Sequence, residues 1–74
     1  MIVKYSILKN KIVMDFGKEY SGQIIRVRNT NLPVTRIDTY GCAEIFYGVF
    51  MKFQNELCLG NEKVVLERKD DELV

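Results

Sequence analysis

Residues 43–53, AEIFYGVFMKF, decide what kind of fold this sequence forms. Read as a strand, the segment has an unbroken apolar row at its odd positions. That row contains Ala43, Ile45, Tyr47, Val49, Met51 and Phe53. Read as a helix, it places Phe46 and Phe50 in an apolar stripe, but Gly48 in the middle costs about 1 kcal/mol relative to alanine. We favour the strand, with a helix over about 43–59 as the alternative.

The composition around this segment favours β-structure throughout. Valine, isoleucine and threonine supply 18 of the 74 residues and aromatics another 8, whereas there is one alanine. β-branched and aromatic side chains pack well on a pleated sheet, and alanine is the strongest helix former. The longest charge-free stretch here, residues 45–51, is far shorter than the roughly 20 residues of a membrane span. We expect no membrane partner.

Turn signals divide the remaining chain into strands. Residues 2–8 and 11–16 flank Lys9-Asn10, a two-residue hairpin turn. Residues 17–22, GKEYSG, predict a turn before strands at 23–29 and 34–40. If Arg28 lies opposite Val34, then Arg26 faces Arg36 and the other face carries an apolar stripe. That stripe is Ile25, Val27 and Ile37.

The end of the chain predicts two more hairpins. Phe53 and Glu56 flank a Gln54-Asn55 turn that pairs residues 50–53 with 56–59, and Gly60-Asn61 precedes a strand over 62–68. The whole predicts one all-β domain over residues 1–74, a small antiparallel barrel or sandwich of about five to seven short strands in a meander. Residues 69–74 are expected to form a frayed charged tail.

Charge is distributed unevenly along the chain. The net charge is +1, but residues 1–37 carry seven Lys/Arg against two acids, and residues 38–74 carry four against eight. The two halves can interleave and cancel in a compact fold. If they segregate, the surface becomes dipolar and can steer an acidic partner.

The two cysteines, Cys42 and Cys58, are predicted to be free thiols. The predicted hairpin sets Cys58 opposite Met51, far along the strand from Cys42, and a disulfide needs Cα atoms within about 7 Å. With no histidine and no paired-cysteine spacing, the chain lacks the ligands of a structural zinc site. We expect no metal and no cofactor.

The sequence also argues against catalysis. Histidine, the commonest general base, is absent, and neither Ser6 nor Ser21 lies in a nucleophile motif. No glycine-rich phosphate-binding loop occurs. We predict that the protein is not an enzyme.

Residues 17–24, GKEYSGQI, resemble the first motif of the Sm-like RNA-binding proteins through Gly17, Tyr20, Gly22 and Ile24. That resemblance implies a small barrel. The pattern then departs, because Arg28 and Asn31-Leu32 stand where that family has an aspartate and a methionine-asparagine pair. The resemblance therefore does not extend to the RNA-contacting positions.

Two function hypotheses follow. The first is a non-catalytic protein-binding module, a regulator or inhibitor that occupies a partner's surface, with a homodimer or higher oligomer expected and a virus or mobile element as one possible source. Strand 43–53 would be apolar on both faces, so we expect another copy or another protein to cover Phe46 and Phe50. Enclosure in a closed barrel is the alternative.

The second hypothesis is a small nucleic-acid-binding protein, an Sm-like or SH3-like barrel. It would use the arginine face formed by Arg26, Arg28 and Arg36, with the rings of Tyr20 and Tyr40. The same face could hold an acidic protein surface. In either case, the absence of a secretory signal predicts a cytoplasmic protein, in the host cytoplasm if it is viral.

Overall fold

The structure, a computed structural model, describes residues 1–69 as two packed four-stranded sheets with one short helix. The strands are β1 (Ile2–Leu8), β2 (Lys11–Asp15), β3 (Ile24–Val27), β4 (Pro33–Arg36), β5 (Cys42–Phe46), β6 (Leu57–Leu59), β7 (Glu62–Lys63) and β8 (Val65–Arg68), and the helix α1 is Tyr47–Phe53. Sheet A has the order β5-β2-β1-β8 and sheet B the order β4-β3-β6-β7. The predicted all-β class is confirmed.

The first hairpin forms as predicted. Ile7 lies opposite Ile12 and Leu8 opposite Lys11, which leaves a two-residue turn. Lys9 adopts the left-handed backbone with φ 59°, whereas the sequence favoured Asn10 for that conformation. Outward positions of β1 and β2 alternate with inward ones, so Ile12 and Met14 are fully buried.

The connection between the sheets differs from a meander. The predicted strand 62–68 divides at Val64, which is buried and carries the chain from β7 in sheet B to β8 in sheet A. β8 then pairs parallel with β1, with Val3 opposite Leu66. This division gives the described residues eight strands, one more than the predicted maximum of seven.

The predicted register of the arginine strands is wrong by two residues at Ile24 and Ile25 and by three at Arg26. Ile24, not Arg26, lies opposite Arg36, and an irregularity between Ile25 and Arg26 brings Arg26 opposite Pro33. The apolar stripe on the other face is nevertheless confirmed, because Ile25, Val27 and Ile37 are all buried. A shift of two residues preserves the face of every side chain, so the stripe did not distinguish the two registers.

The segment 43–53 is half strand and half helix. The strand alternation holds through Ala43 and Ile45, and α1 then begins at Tyr47. Both interpretations of the whole stretch are therefore wrong. A seven-residue helix is too short to be stable alone; α1 is held by Phe50, which is buried with its ring centroid 5.4 Å from that of Tyr5.

A close backbone contact joins the end of β2 to the start of β5. Gly41 accepts hydrogen bonds from the backbone N–H groups of Phe16 at 2.8 Å and Gly17 at 3.2 Å. Gly41 has φ 87°, and a Cβ there would collide with the backbone carbonyl of Gly17. Glycine is therefore required at this position by both space and conformation.

The first residue of the predicted tail, Lys69, has a backbone hydrogen bond to β1. The Lys69 N–H donates to the Tyr5 carbonyl at 2.7 Å and continues the ladder between β1 and β8. The rest of that prediction, residues 70–74, lies outside the described residues. Among residues 1–69, no helix has the length and apolar character needed to cross a membrane.

Candidate binding surfaces

The structure divides the predicted arginine face between the two ends of β3. Arg26 points outward between Pro33 and Cys58 on the neighbouring strands, and Arg28 follows in the loop after β3. Arg36 lies at the opposite end, where its Nη1 donates to the Gly22 carbonyl at 2.9 Å. Two of the three arginines are thus brought together, and the third is occupied elsewhere.

The tyrosines proposed to accompany these arginines lie with Arg36. Tyr40 is in the loop between β4 and β5, is highly exposed, and donates its backbone N–H to Asp38 Oδ1. Tyr20 is in the 3-10 turn before β3 and packs partly against the core. Because β4 runs antiparallel to β3, both tyrosines lie beyond the end of β3 opposite to Arg28.

Sequence reasoning missed the side chains that complete the surface around Arg26. The loop between β3 and β4 and the turn between β6 and β7 form the two walls of an open groove across the outer face of sheet B. We call it the cationic groove; its polar lining is Arg26, Arg28, Asn29, Thr30, Asn61 and Lys63, with Cys58 between the strands. Lys63 lines the cationic groove because it lies opposite Cys58 on β6, and Cys58 lies opposite Arg26 on β3. Only the strand order reveals this row, since Arg26 and Lys63 are far apart in sequence.

The three cations of the groove have no carboxylate partner within residues 1–69. All salt bridges of this part of the chain are on sheet A: Lys4 with Glu67 at 3.3 Å, Lys11 with Glu44 at 3.4 Å, and Lys69 with Asp15 at 3.9 Å. Each of the three pairs joins a residue of the basic half of the sequence, residues 1–37, to a residue of the acidic half, residues 38–74. Within residues 1–69, salt bridges between the two halves of the sequence therefore occur only on sheet A.

A second candidate surface lies at the end of sheet A where the β1–β2 turn meets the start of α1. Leu8 lies opposite Lys11, which lies opposite Phe46, and the Tyr47 N–H donates to the Asn10 carbonyl at 2.7 Å. Large apolar side chains are exposed here, with Phe46 59% and Leu8 61% accessible. We call this surface the apolar patch: Leu8, Phe46, Tyr47 and Met51, the last being one helical turn from Tyr47.

Phe50 does not belong to this surface. Its side chain is 5% exposed and packs against Tyr5, with the Tyr47 ring 6.1 Å away between centroids. The expectation that another molecule must cover Phe50 is therefore wrong. The cause is the change from strand to helix at Tyr47, which turns Phe46 outward and Phe50 into the core of the same chain.

Two lysines border the apolar patch. Lys9 lies exposed in the β1–β2 turn, and the Lys11 ammonium is 5.8 Å from the centre of the Phe46 ring. The Lys52 ammonium of α1 lies instead over the Phe53 ring, 5.3 Å from its centre. A shallow recess of about 210 Å³ opens beside Phe46 and is lined also by Val34 and Val49. The Thr35 hydroxyl donates to the Glu44 carbonyl at 2.9 Å and holds β4 against β5 at this recess.

The cysteines report on the two sheets. Both are free, as predicted, but they are separated because they lie on the outer faces of different sheets, and the predicted pairing of Cys58 with Met51 is wrong. Partial burial raises the pKa of the Cys42 thiol, and the carboxylates of Asp15 and Asp38 raise it further. Cys58 instead lies between Arg26 and Lys63.

Metal-ligating side chains and buried polar groups give no further candidate site among residues 1–69. No group of three or more cysteine or carboxylate side chains within 1–69 is arranged to hold a metal ion. No charged or polar residue of this part of the chain is buried in the core, where a perturbed acid or base would sit. Comparison with known protein families, curated proteins and solved structures found no match for this chain.

Proposed function

We propose that this chain is a non-catalytic protein-binding module that acts as a regulator or inhibitor by occupying a partner's surface with the apolar patch. The observation that supports the proposal is the exposure of Leu8, Phe46, Tyr47 and Met51 at one end of a small domain. Thirteen other apolar residues are buried in the core, so the patch remains exposed beside a core that is already formed. Contiguous exposed apolar side chains with a polar rim are typical of protein interaction sites.

The rim favours an acidic partner. Lys9 has no carboxylate within salt-bridge distance among residues 1–69, while Lys11 pairs with Glu44. A partner segment with apolar side chains flanked by aspartate or glutamate would cover the patch and compensate these lysines. A second copy of the chain would bring lysine rims together, so the homodimer expected from the sequence stays a prediction that this surface does not favour.

The recess beside Phe46 offers a place for one anchoring side chain of the partner. Its walls are the Phe46 ring and the aliphatic side chains of Val34 and Val49, with Lys11 and Glu44 at its mouth. Buried aromatic and aliphatic anchors in such recesses contribute much of the binding free energy at protein interfaces. The two free thiols accord with action in a reducing compartment, and a cytoplasmic location is part of the proposal.

A peptide selection tests the proposal and does not require an identified partner. Random peptides displayed on phage are selected against the wild-type chain, and their affinities are then measured for Phe46→Ser and for Ile2→Ser. Ile2 is a matched control because it is similarly exposed on sheet A but lies at the other end of β1. We expect selected peptides with apolar residues beside Asp or Glu, bound at least about tenfold more weakly by Phe46→Ser.

Two outcomes would contradict this proposal. Selected peptides that bind Phe46→Ser as tightly as the wild type would remove the apolar patch as the contact surface. A stable dimer in light scattering that Phe46→Ser dissociates and Ile2→Ser does not would assign the patch to a second copy of the chain.

A further inference from the structure

The cationic groove is a second surface that the apolar patch does not account for, because it lies on the opposite sheet. Three cations, Arg26, Arg28 and Lys63, line it without a carboxylate partner in the described residues. Like charges on neighbouring strands repel one another, which destabilises a sheet by up to about 1 kcal/mol. We propose that the groove binds the phosphate backbone of a nucleic acid.

The lining of the groove matches the chemistry of phosphate groups. Arginine guanidinium groups donate two parallel hydrogen bonds to phosphate oxygens, and a lysine ammonium adds a point charge. The side-chain amides of Asn29 and Asn61 supply neutral donors beside these cations, whereas the Thr30 hydroxyl already donates to the Val27 carbonyl at 2.9 Å. Gly60, with φ 62° and no atom near the position of a Cβ, leaves the β6–β7 wall open for a backbone to approach. The groove thus offers donors along its whole length.

The arrangement favours the backbone over the bases. Tyr20 and Tyr40, which could stack on bases, lie beyond the other end of β3 with Arg36. No aromatic side chain is among the lining residues of the groove. Base stacking on aromatic rings supplies much of the affinity of dedicated single-strand binders. Binding here is therefore electrostatic and independent of base sequence.

The same lining disfavours an acidic protein as the ligand. Protein interfaces have an apolar centre, but the only apolar side chain lining the groove, Val27, is buried beneath it. The groove is open and polar, with a volume of about 310 Å³ around Cys58. A chain of regularly spaced anions satisfies such a surface without an apolar anchor.

Fluorescence anisotropy with a labelled oligouridylate as the probe tests this inference. Three phosphate contacts predict that the logarithm of the association constant falls with the logarithm of salt concentration with a slope of about −2. The affinity should therefore fall about 20-fold between 50 and 200 mM salt. An oligothymidylate and an oligouridylate of equal length should bind with similar affinity.

A charge-matched pair of variants locates the binding. Arg26→Glu should weaken binding at least about tenfold, because it removes a charge-assisted contact and adds a repulsive one. Arg36→Glu makes the same change in net charge, but Arg36 lies outside the groove and donates to Gly22. It should leave the affinity within about twofold of the wild type. Thermal unfolding followed by circular dichroism checks that both variants fold.

The cysteines provide an independent footprint. Cys58 lines the groove, whereas Cys42 lies on the outer face of sheet A. Bound oligouridylate should slow alkylation of Cys58 by iodoacetamide and leave the rate at Cys42 unchanged, as measured by mass spectrometry of the peptides.

Four results would each overturn the inference. They are the absence of binding at 50 mM salt, a low-salt condition for such contacts, equal losses in Arg26→Glu and Arg36→Glu, alkylation of Cys58 unaffected by the probe, and displacement of the probe by an oligoglutamate at equal charge concentration. The last would assign the groove to an acidic protein segment. None of these results bears on the apolar patch, so failure here and failure of the protein-binding proposal are distinguishable.

Discussion

The two sheets of this domain differ in how much of their surface chemistry is completed within the described chain. Sheet A has the longer strands, carries the helix against its end, and pairs three lysines with carboxylates across its outer face. Sheet B has strands of two to four residues, an irregular register at Arg26 and three cations around a groove without such pairs. Both sheets contribute buried side chains to one core, among them Ile12 and Met14 of sheet A and Ile25 and Leu57 of sheet B. The sheets differ in their outer faces, because only sheet A pairs its surface cations with carboxylates within residues 1–69.

Removing Phe50 should have the largest effect, because it breaks the attachment of α1 to sheet A. Phe50→Ser deletes a buried aromatic ring that packs on Tyr5, and comparable changes cost about 3–5 kcal/mol. Urea unfolding measures the loss. The control is Phe46→Ser in the same segment, which should change the unfolding free energy by less than about 1 kcal/mol since Phe46 is exposed. Equal losses would contradict the assignment of one ring to the core and the other to the surface.

A glycine in each sheet gives the next comparison. Gly41→Ala should destabilise by about 3 kcal/mol, because a Cβ meets the backbone of Gly17 and φ is 87°. Gly60→Ala in the β6–β7 turn has positive φ but open space, so about 1–2 kcal/mol is expected. Thermal unfolding of the two variants ranks them. A larger loss in Gly60→Ala would mean that the turn in sheet B, rather than the junction of β2 and β5, limits stability.

The fold was predictable from the sequence where it depends on side-chain alternation and turn residues. The buried stripe of Ile25, Val27 and Ile37 and the two-residue turns at Lys9-Asn10 and Gly60-Asn61 follow from alternation and turn chemistry, and all were predicted correctly. The register of Arg26 was not, because the faces of β3 alternate in the same way in both registers and the skipped residue, Val34, lies in β4. The residues that lie opposite the arginines depend on a local backbone irregularity, which the pattern of apolar and polar side chains does not reveal.

The candidate surfaces were predictable only in part. Phe46 stood out because it is a large apolar residue on the second face of an apolar strand, and it is exposed. Phe50 looked equivalent to Phe46 in the sequence. The two differ because the chain changes from strand to helix at Tyr47, and no residue between Phe46 and Phe50 clearly signals that change. Leu8 and Lys63 were missed because strand pairing brings each of them to its surface from a distant part of the sequence. Leu8 is two strands from Phe46, with Lys11 between them. Lys63 is two strands from Arg26, with Cys58 between them.

Neutralising one charged side chain on the outer face of each sheet should change the unfolding free energy by a smaller amount, and differently for the two sheets. Glu44→Gln breaks the pair with Lys11 and should cost about 0.2–1 kcal/mol. Arg26→Gln removes a cation that has no such partner in residues 1–69, so the unfolding free energy measured in urea should be unchanged or slightly higher. Raising the salt concentration should diminish both effects, because salt screens the attraction between Lys11 and Glu44 and the repulsion around Arg26 alike. A loss of more than about 1 kcal/mol in Arg26→Gln would reveal that this arginine stabilises the fold.

The smallest effect concerns the Cys42 thiol of sheet A. Its pKa is raised by partial burial and by the carboxylates of Asp15 and Asp38, so less thiolate is present at a given pH. The rate of alkylation of Cys42 should therefore reach half its maximum at a higher pH than in an unfolded peptide of residues 38–46. Asp15→Asn should move that midpoint back toward lower pH. An unshifted midpoint in the folded chain would contradict the carboxylate-rich surroundings of sheet A.

The most direct measurement of the central claim combines stability and binding in Phe46→Ser. We propose that Phe46 is a contact residue that the fold does not need. We therefore expect an unfolding free energy within about 1 kcal/mol of the wild type, together with at least about a tenfold loss of affinity for peptides selected on the wild-type chain. Unchanged affinity, or a loss of stability comparable to that of Phe50→Ser, would contradict it.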